Sequence, residues 1–131
     1  MGHSYNNGLH TTSKGITIDA IRLTNLTVTV GQTVTIAEDC KSGLIASVTH
    51  TATGVYTFQM TSPFLPKFVC IQPQLSGASA TAATIQARYQ TGSFNPTTGV
   101  FIVHTTTGGA ATDPGATDEL HVDMRFRRYT T

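Results

Sequence analysis

Apolar residues recur at every second position over most of the chain, and that period belongs to half-buried strands. From Gly15 onward, Ile16, Ile18 and Ala20 alternate with Thr17 and Asp19. Leu26, Val28 and Val30 alternate with Thr27 and Thr29, and Val34 and Ile36 continue after Gly31 and Gln32. The polar run Glu38 to Gly43 breaks the pattern. Residues 44–50 and 55–60 then predict a hairpin around Thr51-Ala52-Thr53-Gly54, with Tyr56, Phe58 and Met60 on one face. Pro63 and Pro66 interrupt, because neither can donate to a ladder. Strands follow at 67–72 and 85–89, separated by a run of small and polar residues from Ser76 to Ala83. Ser93-Phe94-Asn95-Pro96-Thr97-Thr98-Gly99 is a turn: proline presets φ and glycine supplies the positive φ. Val100–Thr105 returns as a strand, and 106–118, rich in Gly, Ala, Thr, Asp and Pro, predicts a long exposed loop. The closing strand alternates strictly. Leu120, Val122, Met124 and Phe126 are assigned to the core, and Arg125 and Arg127 to the opposite face.

About eight strands at this spacing predict an all-β fold, an antiparallel β-sandwich of jelly-roll type. Residues 1–14 are polar and lack the period. They predict an extended arm, ordered only against a neighbouring subunit and anchored there by Tyr5 and Leu9, ahead of a single domain over 15–131.

Composition agrees. The 131 residues include 25 threonines and 12 glycines, suited to strands and turns, and no tryptophan. Charged residues make up 11% and the net charge is +1, so no global field favours nucleic acid or an acidic membrane surface. No apolar run approaches the ~20 residues of a membrane-spanning helix, and the first residues lack the basic and apolar regions of a secretory signal. Cytoplasmic synthesis is the expectation, with Cys40 and Cys70 as free thiols.

Candidate chemistry is sparse. The five histidines show no close metal-ligand spacing and are expected to face solvent. Asp113, Asp118 and Glu119 offer oxygens for a cation, but without the alternating ligands of a calcium loop they predict a solvated turn with Asp capping backbone groups. No nucleophile elbow, phosphate loop or dinucleotide fingerprint is present, so neither an enzyme nor a cofactor is expected. Carbohydrate binding is weakly supported, given four tyrosines and no tryptophan. The main charge feature is Arg125, Arg127 and Arg128. It suits either an acidic partner surface or a solvated strand that resists edge aggregation.

Several segments together resemble small virion proteins of tailed phages. Thr53-Gly54-Val55-Tyr56-Thr57-Phe58 resembles their T-G-x-Y-T hairpin strand. Ser93 to Val103, reading SFNPTTGVFIV, resembles their N/D-P-x-T-G-x-F-x-V hairpin, and Asp118 to Phe126 their closing strand. The similarity spans about residues 43–128; the arm and the strand holding Cys70 fall outside the pattern. It implies a capsid decoration, or cement, protein on the virion head, homotrimeric and bound to the major capsid protein. The alternative it implies is a tail-associated module: fibre, adaptor or receptor-binding head.

Overall fold

The computed structural model describes residues 10–11, 16–40, 43–61, 68–77 and 84–127. The protein is all-β: among the described residues ten strands form one strongly curled antiparallel sheet around one core. The strands are β1 (His10–Thr11), β2 (Ile16–Thr24), β3 (Thr33–Ile36), β4 (Ile45–Ala52), β5 (Val55–Met60), β6 (Phe68–Ser76), β7 (Gln86–Tyr89), β8 (Val100–Thr107), β9 (Ala110–Ala111) and β10 (Glu119–Arg127). Their hydrogen-bonded order is β6-β10-β2-β3-β4-β5-β8-β7, with β1 on β2 and β9 on β8.

The expected sandwich has two separate sheets, whereas here the hydrogen bonding is continuous. The four-residue β3 makes the connection. Its first half, Thr33 and Val34, pairs with Thr49 and Val48 of β4, and its second half, Thr35 and Ile36, with Thr24 and Leu23 of β2. A strand that divides its length between two neighbours turns the sheet through a corner. The curl brings the two ends of the path, β6 and β7, against one another.

The closing strand pairs with β2 and β6, and its faces point as its alternation predicts. Leu120, Val122, Met124 and Phe126 are buried, and Asp123 and Arg125 are exposed. From β5, Tyr56, Phe58 and Met60 all enter the core. Phe58 stacks on Phe101 at 4.7 Å, and Phe126 reaches Phe101 at 6.5 Å and Phe94 at 6.2 Å, so β10 packs on β8 across the interior.

Along its strands and loops the structure departs from the sequence reading at four places. On β2 the buried face is Thr17, Asp19, Ile21 and Leu23, while Ala20 is exposed and Ile18 half-buried. The strand has one register, and opposite Val122 and Leu120 it is Ile21 and Leu23 that fill the core. Leu26 to Val30 is not a strand but a loop. Asn25 takes φ 61° and Gly31 φ 95°, with turn bonds from Val28 N–H to Asn25 O and from Gln32 N–H to Thr29 O. Of the three apolar residues, Leu26 is buried, while Val30 is 51% exposed. Strand β6 runs on to Ser76 through Pro73, which a strand at the end of the sheet tolerates. The loop expected from 106 begins instead as a β8–β9 hairpin closed by Gly108 and Gly109, with φ 57° and 88°, the double positive-φ turn that only such residues make freely. Within the expected arm, His10 and Thr11 pair with Ile18 and Thr17 of β2.

Candidate functional site

Of the partner-binding residues named from the sequence, Tyr5, Leu9 and Arg128 lie outside the described residues, and Arg127 is described by its backbone alone, paired with Ile16 and Phe68. Arg125 stands on the outward face of β10. In register it sits between Ile18 of β2 and Cys70 of β6; two residues on, Asp123 sits between Ala20 and Gln72. These six residues line a shallow depression of about 270 Å³ across three strands.

A second cation on the same sheet is engaged differently. Arg22 donates from Nη2 to Asp39 Oδ1 at 2.6 Å and from Nη1 to Glu119 Oε2 at 3.0 Å, joining the 3-10 turn Glu38–Cys40 to β2 and β10. The Arg22 hydrogen bond holds the Asp39 carboxyl below its ordinary value, and the same contact raises the guanidinium. Arg125 makes no ion pair among the described residues, so its charge is available outward.

The main polar cluster in the interior is one the sequence reading placed in solvent. His50 is only 2% exposed. Its Nδ1 lies 2.7 Å from Val28 O, which only accepts, so Nδ1 carries a hydrogen and donates. Its Nε2 lies 2.9 Å from Asp113 Oδ1, where one proton between the two atoms makes the bond. Asp113 Oδ1 also accepts from Gly54 N–H at 2.7 Å, and His50 stacks on Tyr56 at 5.0 Å. Tyr56 in turn donates its hydroxyl to Leu26 O at 2.8 Å. His50 and Tyr56 thus hold the 25–32 loop, and Asp113 ties the 112–118 segment to the β4–β5 turn. Burial, and secondarily the Asp113 charge, push the Tyr56 phenol well above its ordinary range. The signal that could have placed His50 inside is its spacing of two from Val48.

Of the acids expected in a solvated turn, both aspartates accept from backbone N–H groups as expected, but Asp118 is buried and all three are engaged. Asp113 serves His50 and Gly54, Asp118 Oδ2 accepts from Gly115 N–H at 2.7 Å, and Glu119 pairs with Arg22. Among the described residues no three metal-ligating groups converge. The other two described histidine rings are less buried: His104 bonds Gln90, and His121 bonds Ser76 at 3.1 Å. Among the described residues no helix is long and apolar enough to cross a membrane. Comparison with family models, with curated proteins and with solved structures gives no match.

Proposed function

We propose that this chain is a virion structural protein, a decoration protein that binds the major capsid protein on the head of a tailed phage. The observation that supports this reading best is the outward face of β10, where Arg125 stands free of any ion pair among the described residues beside Ile18 and Cys70. A charge held on a rigid strand and flanked by apolar groups suits contact with an acidic partner surface. The two halves of the curled sheet, facing one another across the core, are the sandwich-like unit of this reading. Short threonine side chains such as Thr33, Thr35, Thr49 and Thr57 lie on exposed or half-buried strand positions, and they lose little conformational entropy when an interface orders them. The resemblance of the 53–58 and 93–103 segments to phage hairpins supplies the virion context. The 93–99 turn is built around Asn95, whose side chain accepts from Thr97 N–H at 2.8 Å and Thr98 N–H at 3.2 Å while Gly99 takes φ 73°. In this reading the assembled form is a homotrimer, with Tyr5, Leu9, Arg127 and Arg128 contributing to its contacts.

The test is attachment. Purified full chain is added to particles of the phage that carries it, prepared without it, and sedimented with them over a range of salt. The wild type is expected to co-sediment. Arg125→Ala is expected to attach more slowly and with less salt dependence, at an unchanged Tm. A wild-type chain that stays in the supernatant at every salt concentration overturns the reading.

A further inference from the structure

The far end of the strand path carries a different surface. β7 and β8 run antiparallel, with Arg88 opposite His104 and Gln86 opposite Thr106. Past the end of β7 the chain turns at Gln90–Ser93, where Ser93 N–H bonds Gln90 O and Gly92 takes φ 82°. The turn carries Thr91 to a position beside Gln90. Arg88, Gln90, Thr91, His104 and Thr106, with Tyr89, line a hollow of about 340 Å³. That is the small end of the range for ligand sites, about 300–1,000 Å³, and suits one ring rather than an oligomer.

The polar groups of this hollow are partly fixed already. His104 Nε2 lies 2.6 Å from Gln90 Oε1; an amide oxygen only accepts, so Nε2 donates. That bond orients both side chains and leaves the Gln90 amide nitrogen and His104 Nδ1 for another molecule. Tyr89 packs against the core, its ring edge-on to Phe101 at 6.2 Å. Arg88 is exposed and makes no ion pair among the described residues, unlike Arg22 with its two carboxylates.

We propose that this hollow binds an acidic saccharide, Arg88 taking the carboxylate and Gln90, Thr91, His104 and Thr106 the ring hydroxyls. The mixture of groups favours a sugar acid over a bare oxyanion. A phosphate or sulfate uses donors alone, whereas hydroxyls donate and accept, as do the amide and threonine groups gathered here. The guanidinium fork matches a carboxylate through two parallel bonds.

The experiment is a titration of the 15N-labelled full chain, followed by amide chemical shifts at constant ionic strength. The probes are D-glucuronate, D-glucose and sulfate. Glucuronate is expected to move the amides of Arg88, Gln90, Thr91, His104 and Thr106 to saturation, with glucose and sulfate each at least tenfold weaker. Arg88→Gln is expected to lose tenfold or more in glucuronate affinity with its spectrum otherwise unchanged, and His104→Phe to weaken glucuronate and glucose alike. Any of four results overturns the proposal: no saturable shifts with glucuronate, glucose binding as tightly, sulfate binding as tightly, or an Arg88→Gln chain that binds glucuronate like the wild type.

Discussion

At Asp113 a single carboxylate oxygen engages two groups from different parts of the chain, His50 Nε2 and Gly54 N–H. Removing it leaves both without that partner at a site where His50 is almost wholly buried, which costs about 1–3 kcal/mol. Asp113→Ala is therefore expected to lower unfolding stability by that amount in urea titrations. Asp113→Asn, which keeps an accepting oxygen and adds a donor, is expected to recover most of the loss. Tyr56 gives a second residue-scale expectation. Its folded pKa is raised above the ordinary ~10. Its contribution is thus complete below the ordinary value and lost as pH rises toward the raised folded one. Melting temperature should fall as pH rises above about 10, and less steeply in Tyr56→Phe, whose reference at neutral pH is lower for want of the Leu26 hydrogen bond. Equal slopes for the two chains would remove Tyr56 from the account. Neither network is written in a motif. His50 is legible as an inward residue from Val48, but its partners Val28 and Asp113 lie 22 and 63 positions away, and only the fold brings them together.

Among the elements, β10 was readable from alternation alone because its two faces differ at every position: apolar residues at 120, 122, 124 and 126 and polar ones between them. Phe126, 1% exposed and touching the rings of Phe94 and Phe101, is expected to cost about 3–5 kcal/mol when cut to Ala. Arg125→Ala on the other face is expected to stay within about 0.5 kcal/mol. Chemical denaturation of the two variants checks the face assignment, and a reversed order of their effects would invert it. β2 was less legible because its apolar residues change parity midway: Ile16, Ile18 and Ala20, then Ile21 and Leu23. Packing against β10 settles the register in favour of the second set and carries Thr17 and Asp19 inward with it. At 26–30 the period is present but the ladder is not. Tyr56 and His50 bond the carbonyls of Leu26 and Val28, so side chains take the place of a neighbouring strand.

For the whole molecule, the all-β class follows from the sequence, but the strand count, ten among the described residues against about eight expected, and the continuity of the sheet do not. That continuity depends on β3 giving two residues to each neighbour, a division that four residues of alternating Thr and aliphatic side chains do not announce. Because both halves of the sheet share one core, unfolding is expected to be a single cooperative transition, with far-ultraviolet circular dichroism and tyrosine fluorescence melting together. Two separated transitions would mean two independent halves. The outward faces are where function is sought. Arg125 was legible as an outward charge, whereas the hollow around Arg88 was not, since it joins positions 88–91 to 104 and 106 through strand pairing. The decoration reading is tested most directly by counting copies of this chain in purified particles of its phage, by quantitative mass spectrometry against the major capsid protein. The account predicts a number on the scale of the capsid protein itself. A handful of copies, the stoichiometry of a tail part, or none at all would contradict it.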